Sequence, residues 1–310
     1  MIPELARHAS YRLIAVASRS LEKSAQLAAQ YECRALTYEQ LVAEPGIDAV
    51  YIPLPTGLHF EWVMKTLVAG KHVLCEKSLG GTLAEVEQMV SMAREKRLLL
   101  VENFQFRFHS QHATVKHLLS EGVIGEMRCF RASFGFPPFM DRADNIRYKR
   151  ELGGGALLDA GAYTIKATTF MLGLDCRVKA ANLRMSSDCD VDLGGSIYLE
   201  NGEGLVSETA FGFDNFYQCN YEIWGSKGKL TAKRAFTAAP GFEPELLIET
   251  PAGAENRKLP SDNHFANMLT HFAKVTAEGE YDSEYEQNLA QARLLKETQE
   301  CCIGRQPNLV

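Results

Sequence analysis

Residues 48–75, DAVYIPLPTGLHFEWVMKTLVAGKHVLC, contain the alternation that decides the fold. Asp48–Pro53 and His72–Cys75 are short, mostly apolar runs of strand length. Leu58–Ala69, between them, has the helical spacing of apolar residues and stops before Gly70, a residue type favoured just past a helix end. Two buried strands joined by a helix indicate a parallel sheet that is covered on both faces.

The same alternation extends in both directions from this unit. Strands are predicted at Tyr11–Ala17 and Arg97–Val101, and helices at Leu21–Gln30, near Tyr38–Ala43 and over Thr82–Lys96. The last helix opens with a capping box, because Thr82 is followed three residues later by Glu85. Residues 1–104 are therefore predicted to form an α/β domain.

The pattern changes after about residue 125. Alternating apolar residues and intervening turns predict long strands at Met127–Phe136, Arg177–Met185, Val191–Glu200, Gly204–Phe213 and Tyr217–Trp224. Helices are predicted over about 155–172, 261–278 and 284–302. Residues 105–310 are therefore predicted to form an α+β domain with a large, mostly antiparallel sheet. The exposed face of that sheet is a natural surface for a homodimer or homotetramer.

The composition excludes several classes of protein. The chain has 310 residues, of which 46% are hydrophobic and 23% charged, as in a globular protein and unlike a disordered one. Its net charge of −6 argues against a nucleic-acid partner, since such proteins usually carry a basic excess. No apolar run reaches the roughly 18 residues that a membrane span needs. The eight cysteines form no C-x-x-C pair, so we expect reduced thiols in a cytoplasmic protein.

One motif is missing from the front of the chain. An open α/β sheet that binds a dinucleotide starts with a strand and a G-x-G-x-x-G turn, and this sequence contains no such turn. Met1–His8 has the pattern of a helix end, and Tyr11–Ala17 then behaves like a second strand. We therefore expect the first strand, its glycine turn and most of the first helix to lie upstream of Met1.

Four motifs in a fixed order carry a resemblance to a known family. They are Ala15–Ser20 (AVASRS), Pro55–His59 (PTGLH), Glu76-Lys77-Ser78 and Gly153–Tyr163 (GGGALLDAGAY). The sequence resembles the glucose–fructose oxidoreductase / inositol dehydrogenase / rhizopine-catabolism family of NAD(P)-dependent sugar oxidoreductases over essentially its whole length. Ser78 stands where the family's Glu-Lys-Pro motif has proline. The resemblance implies a Rossmann-like dinucleotide-binding domain at 1–104 and a substrate-binding and oligomerisation domain at 105–310.

Lys77, Asp159 and Tyr163 are the candidate catalytic residues. Lys77 follows a strand at the carboxyl edge of the sheet, where ligands bind in such folds, and the alternative is a surface lysine paired with Glu76. Asp159 and Tyr163 are four residues apart and share a helix face, and the alternative is a core tyrosine capped by a carboxylate. The resemblance implies that Tyr163 acts as general acid with Lys77 assisting, and that Asp159 positions them.

Ser18 and Arg19 bear on the choice of cofactor. An acidic residue at the end of the second strand would hold the ribose 2′-hydroxyl of NAD, whereas Arg19 offers a charge-assisted contact to the 2′-phosphate of NADP. The sequence therefore favours NADP(H) over NAD(H). The alternative is that Arg19 is a solvent-exposed residue at the start of a helix and contacts no cofactor. The resemblance also implies that five further residues contact the cofactor: Pro55, Thr56, His59, Glu76 and Lys77. The alternative for His59 is a buried structural histidine.

Three residues are candidate substrate contacts on position alone: Arg107, Arg147 and Tyr148. The spacing of His109, His112 and His117 predicts no metal site.

The resemblance implies an NADP(H)-dependent oxidoreductase that reduces a keto group on a sugar or nucleotide sugar, or oxidises the corresponding alcohol. Residues 147–163 look most like nucleotide-sugar 3-ketoreductases. The alternatives are a dihydrodiol or aldose dehydrogenase of the same family, and a non-catalytic relative that lost cofactor binding with its first strand.

Overall fold

The computed structural model describes residues 1–142 and 144–303. Strands and helices alternate through the first 104 residues, as the sequence pattern predicts. The elements are α1 Ile2–Arg7, β1 Ala15–Ala17, α2 Leu21–Gln30, β2 Arg34–Leu36, α3 Tyr38–Ala43, β3 Ala49–Ile52, α4 Thr56–Val68, β4 His72–Glu76, α5 Leu83–Lys96 and β5 Leu100–Asn103. The capping box of α5 is confirmed, since the Thr82 hydroxyl accepts a hydrogen bond from the backbone of Glu85 and the Glu85 carboxylate accepts one from the backbone of Thr82.

Several boundaries differ from the sequence prediction. Only Ala15–Ala17 of the run predicted to start at residue 11 pairs as a strand, and its partner β2 is too short and too exposed to stand out in the sequence. The strand predicted to begin at Arg97 begins at Leu100, because Arg97 caps α5 in a left-handed conformation. Helix α4 starts two residues earlier than its apolar pattern, after Pro55 at the N-cap.

The parallel strands of this region fall into two separate sheets. β1 pairs with β2, and β3, β4 and β5 pair in that order, all of them parallel. In a doubly wound sheet one more strand lies between the positions of β1 and β3. No strand of residues 1–142 or 144–303 occupies that position. A cavity of about 640 Å³ lies there instead, lined by apolar residues that include Val16, Val50 and Leu74.

The remaining residues build an eight-stranded sheet with flanking helices. The sheet has the order β13-β12-β11-β10-β6-β9-β8-β7 and is antiparallel except between β6 and β9. The elements are α6 Ser110–Ser120, β6 Met127–Gly135, α7 Ala162–Leu172, β7 Arg177–Met185, β8 Asp192–Glu200, β9 Val206–Gly212, β10 Gln218–Gly225, β11 Lys229–Ala232, β12 Glu245–Thr250, β13 Gly253–Lys258, α8 His264–Glu278 and α9 Asp282–Ile303. Helix α7 packs on the buried face, against β6 and β9.

The helix predicted over residues 155–172 is interrupted at its start. Leu157–Gly161 form a π-helical turn, and α7 continues from Ala162. Such turns are rare and are found frequently at functional sites. This π-helical turn contains Asp159 and directly precedes α7, the helix that carries Tyr163.

The last two helices return to the first 104 residues. Helix α8 contributes Leu269 and Phe272 to a core shared with β4 and β5. On α9, the Tyr285 hydroxyl donates a hydrogen bond to the Leu98 carbonyl and the Asn288 amide donates one to the Leu100 carbonyl. The boundary at residue 104 therefore stays a prediction, and the C-terminal helices complete the core beneath the N-terminal strands.

Candidate active site

Lys77 and Asp159 form a contact across the two parts of the chain. Lys77 directly follows β4, and its ammonium group pairs with the Asp159 carboxylate while donating a hydrogen bond to the Asp159 carbonyl at 3.0 Å. The second carboxylate oxygen of Asp159 accepts a hydrogen bond from Arg147 Nε at 2.6 Å. Burial alone would raise the pKa of Asp159, but the charges of Lys77 and Arg147 lower it overall. Asp159 therefore stays ionised and holds both cations in place.

Tyr163 lies beside this pair in an apolar pocket. Its side chain is 7% exposed and its ring packs against Phe104, Phe134 and Phe236. The Lys77 ammonium lies 5.2 Å from the centroid of the Tyr163 ring. Burial, with a smaller effect from the charge of Glu76, raises the pKa of Tyr163 well above its usual value. The hydroxyl is therefore protonated at neutral pH, as a proton donor must be.

Gln105 and Asn103 join the site although sequence reasoning missed both. Gln105 Nε2 donates to the Tyr163 hydroxyl at 3.4 Å, and Asn103 Nδ2 donates to Glu76 Oε1 at 2.8 Å. The side-chain oxygens of Gln105 and Asn103 are buried and have no hydrogen-bond partner in the part of the chain that the structure describes. The available signal was their place at and just after the end of β5, where polar residues follow an apolar strand.

The hydrogen-bond partners of the Glu76 carboxylate are residues other than Lys77. Its Oε1 accepts hydrogen bonds from the Tyr51 hydroxyl at 2.7 Å and from Asn103. The alternative reading of Lys77 as a surface lysine paired with Glu76 is therefore wrong. Lys77 is largely buried and its ion-pair partner is Asp159.

The glycine loop brings the site together by close backbone approach. Gly153 has a φ of +75°, and a Cβ there would lie 2.7 Å from the Thr56 Cβ. A Cβ on Gly57 would lie 2.5 Å from the Glu151 carbonyl oxygen. Side chains at these positions would push the start of α4 away from the loop that leads to Asp159.

His59 proves to be fully buried beneath the Lys77 turn. Its Nδ1 and Nε2 lie 2.7 Å from the carbonyl oxygens of Ser78 and Leu54, and burial lowers its pKa. His59 thus ties the turn after β3 to the turn after β4, where the Lys77–Ser78 peptide is cis. Its contacts are those of a structural histidine, and contacts of Pro55, Thr56 and His59 with a cofactor stay a prediction.

Ser18 and Arg19 lie apart from this cluster, just past β1. The Ser18 hydroxyl accepts a hydrogen bond from the Ser20 backbone at 3.3 Å, and Ser20 caps α2. Arg19 is exposed and makes no hydrogen bond or ion pair within the described ranges. It is free to meet an anion, and the role in choosing the cofactor stays a prediction.

Of the three predicted substrate contacts, the structure brings only Arg147 to the Asp159 cluster. The Arg107 guanidinium is buried against α9, where it contacts Gln287 and lies 3.3 Å from Glu284. Arg107 therefore serves the packing of α9 and does not open onto the site. Tyr148 is buried, and its hydroxyl has no partner among the described residues.

Metal-binding clusters and membrane-spanning helices are both absent from residues 1–142 and 144–303. These residues contain no group of three or more His, Cys, Asp or Glu side chains placed to hold a metal ion. None of their helices is both long and apolar enough to span a bilayer. Within these residues no cysteine forms a disulfide bond.

Comparison with known proteins identifies the family. Residues 1–104 match the GFO_IDH_MocA oxidoreductase family with its NAD-binding Rossmann fold, and residues 112–231 match the GFO/IDH/MocA C-terminal domain. A dTDP-3,4-didehydro-2,6-dideoxy-alpha-D-glucose 3-reductase from Saccharopolyspora spinosa is 42% identical over 275 residues, covering 88% of this chain and 82% of the relative. The chain belongs to the Gfo/Idh/MocA family.

Other members of the Gfo/Idh/MocA family extend the comparison. The crystal structure of KijD10, a 3-ketoreductase from Actinomadura kijaniata in complex with NADP and TDP-benzene, superposes with a TM-score of 0.93 at 38% identity, covering 97% of this chain and 93% of that one. A D-xylose 1-dehydrogenase (NADP(+)) from Haloferax volcanii is 32% identical over 79% of this chain and 74% of its own length. The predicted family, fold class and oxidoreductase class are confirmed.

Proposed function

We propose that this protein is an NADP(H)-dependent ketoreductase that acts on a keto group of a nucleotide-activated sugar. The observation that carries the proposal is the pairing of a protonated, buried Tyr163 with Lys77, which Asp159 fixes against the tyrosine ring. The similarity to dTDP-keto-sugar 3-reductases and to a ketoreductase crystallised with NADP and TDP-benzene supports the choice of substrate and cofactor.

The residues present suit both ends of NADP. Arg19, beyond β1, has no ion-pair partner in the part of the chain that the structure describes and is suited to the 2′-phosphate. The unpartnered oxygens of Asn103 and Gln105 are acceptors suited to the amide N–H groups of the nicotinamide. The sequence has no G-x-G-x-x-G turn for the pyrophosphate, so binding itself is the first property to measure.

In the proposed reaction, bound NADPH supplies a hydride to the carbonyl carbon of the sugar. Tyr163 donates its hydroxyl proton to the carbonyl oxygen, which yields the alcohol and leaves a phenolate on the enzyme. Gln105 already donates a hydrogen bond to that phenol oxygen, and the nearby Lys77 ammonium favours the negative charge. A proton from solvent then restores Tyr163 and completes the balance. Asp159 takes no proton and keeps Lys77 and Arg147 oriented.

The test is consumption of NADPH with a dTDP-linked 3-keto sugar, followed by absorbance and by isolation of the alcohol product. Tyr163→Phe is the informative variant, because it removes the proton and keeps the ring packing. We expect turnover in the natural sequence and a loss of about 100-fold or more in the variant. Equal turnover by the two proteins would remove Tyr163 from the reaction.

A second candidate is a non-catalytic relative that does not bind the cofactor. The observation that favours it is the cavity between β1 and β3 together with the lack of a G-x-G-x-x-G turn in the sequence. Titration of NADPH separates the two, because a ketoreductase binds the cofactor in the absence of any sugar. Turnover with substrates that carry no nucleotide would instead distinguish a dihydrodiol or aldose dehydrogenase from a reductase of nucleotide sugars.

The proposal includes a cytoplasmic homodimer or homotetramer. The lack of any disulfide bond among the described residues supports a reducing compartment. The open face of the large sheet carries Trp224 and Tyr198 beside the Arg131–Glu208 ion pair, which suits a self-complementary interface. Sedimentation equilibrium of the purified chain tests this part.

A further inference from the structure

Glu102 is a buried carboxylate beside the turn at residues 77–79. It lies on β5, opposite Cys75 of β4 in the parallel register, and is 2% exposed. Its Oε1 accepts a hydrogen bond from the backbone N–H of Leu79 at 2.8 Å. Leu79 follows Lys77 by two residues, so this hydrogen bond ties the turn that carries Lys77 to the neighbouring strand.

The second carboxylate oxygen of Glu102 is left over by these contacts. Glu102 Oε2 is buried and has no hydrogen-bond partner among residues 1–142 and 144–303. Burying a carboxylate is costly unless a positive charge lies close enough to compensate it. The candidate site as described so far does not say which cation does so.

Lys166 is a buried cation in the same part of the core. It lies on α7, three residues after Tyr163, and is 2% exposed. Its ammonium group lies 5.6 Å from the centroid of the Phe104 ring and makes no hydrogen bond or ion pair within the described ranges. Phe104 follows Glu102 by two residues, so the two buried charges belong to adjoining parts of the chain.

The charges of Glu102 and Lys166 act on each other. Burial raises the pKa of Glu102, and the charge of Lys166 is the largest effect that opposes this rise. The charges of Arg107 and Lys77 oppose it less. Burial, followed by the charge of Arg107, lowers the pKa of Lys166 to about 7, and the charges of Glu102 and Glu284 oppose that fall.

The other two cations near Glu102 already have acidic partners. Arg107 lies 3.3 Å from the Glu284 carboxylate, and Lys77 pairs with Asp159. Lys166 has no such partner in the part of the chain that the structure describes. It is therefore the cation that balances Glu102, and we call Glu102 and Lys166 the buried pair.

We propose that Glu102 positions Lys77 and that Lys166 supplies its counter-charge, so that the buried pair fixes the Lys77 turn relative to the helix that carries Tyr163. The inference rests on the proposed function, in which Lys77 and Tyr163 act together. Glu102 is bonded to the turn that follows Lys77, and Lys166 shares α7 with Tyr163. Both are positioning residues, because their contacts are with the Leu79 backbone and with an aromatic ring of the core.

The experiment compares three variants of the full chain. Glu102→Leu removes both the acceptor and the charge, whereas Glu102→Gln removes the charge and keeps an oxygen for the Leu79 N–H. The matched control is Glu297→Leu, because Glu297 on α9 also accepts a backbone hydrogen bond, from Val178 of β7 at 2.9 Å. The readouts are kcat with a dTDP-linked 3-keto sugar, NADPH affinity by calorimetry, and hydrogen exchange at the Leu79 amide by NMR.

In Glu102→Leu, kcat is expected to fall about tenfold or more while NADPH affinity stays within about twofold, because Lys77 is displaced and not removed. Exchange at the Leu79 amide should be faster than in the natural sequence by about tenfold or more. Glu102→Gln should recover most of both losses, and Glu297→Leu should show neither. Equal kcat or equal Leu79 exchange in Glu102→Leu and Glu297→Leu would overturn the positioning role, as would a loss of NADPH affinity that matches the loss of kcat.

Urea unfolding of Glu102→Gln, Lys166→Met and the double variant tests the counter-charge. Each single variant leaves one buried charge without its partner, so the double variant should be more stable than the sum of the single effects, by about tenfold or more in the unfolding equilibrium constant. Additive effects would overturn the pairing. If Glu102→Leu does not fold, Lys166→Met provides the kcat and exchange readouts, because Glu102 without its counter-charge takes up a proton and accepts more weakly from Leu79.

This test is separable from the test of the reaction. Fast Leu79 exchange in Glu102→Leu and non-additive unfolding, in a protein that consumes no NADPH, would support the buried pair and contradict the proposed function. Turnover by the natural sequence that is unchanged in Glu102→Leu would support the reaction and overturn the positioning role.

Discussion

Acidification from pH 7 to pH 5 is predicted to destabilise this protein through its buried histidines, above all His112 and His264. His112 is fully buried on α6, where its Nε2 donates to the Ala235 carbonyl at 3.1 Å and its Nδ1 accepts from the Tyr221 hydroxyl at 2.9 Å. Burial, together with the nearby His109, lowers the pKa of His112 to about 3. The same two causes lower the pKa of His264, at the start of α8, to about 4.

The sign and size of the effect follow from proton linkage. The unfolded chain takes up a proton on each histidine near pH 6.5, whereas the folded chain resists it until the pH is far lower. Stability is therefore lost as the pH falls below about 6.5. Between pH 7 and pH 5 the loss is about 2 kcal/mol for each histidine. Asp192 opposes it, since burial raises its pKa to about 6 and its folded form takes up a proton in this range.

The assay is urea unfolding at both pH values, followed by tryptophan fluorescence, on the natural sequence and on His112→Gln. The variant loses stability at pH 7, because the Tyr221 and Ala235 contacts change. Its further loss between pH 7 and pH 5 should be smaller than that of the natural sequence by about 2 kcal/mol. His117→Gln, on an exposed position of α6, is the matched control and should leave the pH dependence unchanged.

Identical pH dependence in the natural sequence and in His112→Gln would refute the reasoning. If His112→Gln does not fold at pH 7, His264→Gln provides the same comparison from the other helix. A flattened pH dependence in His117→Gln would equally contradict the assignment of the effect to buried rings.

The remaining predictions concern the candidate site. Lys77→Ala should lower kcat about 100-fold or more while NADPH still binds, and kcat near that of the natural sequence would exclude the assigned role. Gln105→Leu should lower kcat roughly two- to tenfold with the NADPH affinity unchanged, as expected for one hydrogen bond to the Tyr163 oxygen, and a change confined to KM would contradict that role. Arg19→Asp should change the ratio of NADPH to NADH affinities about tenfold or more in favour of NADH, whereas a constant ratio in titrations would contradict a 2′-phosphate contact.

Much of the fold could be predicted because local patterns agree with the final packing. Strand β7 was predicted with the bounds that the structure gives, Arg177–Met185, because the segments around it show the same strand-like alternation and are separated by recognisable turns. Strands β2 and β13 escaped, because Arg34 and residues 253–258 are exposed and polar and so carry no apolar period. Edge strands of this kind form through pairing with neighbours that are distant in sequence.

The candidate site was predictable as a set of positions and not as a set of contacts. Lys77 and Tyr163 were singled out by their places after a buried strand and a glycine loop, and the family resemblance implied their catalytic roles. The contact between Lys77 and Asp159 joins residues 82 positions apart, so no local pattern reports it. Arg107 was predicted as a substrate contact for the same reason. Its burial against Glu284 depends on the packing of α9, which is distant in sequence, so no local pattern indicates it.

Calorimetric titration of the purified chain with NADPH, and with NADH for comparison, tests the central claim that this is an NADP(H)-dependent oxidoreductase. Binding of NADPH in the micromolar range, tighter than that of NADH, is the predicted result. An absence of heat with both cofactors, from a protein shown to be folded by its urea transition, would contradict the claim and favour a non-catalytic relative.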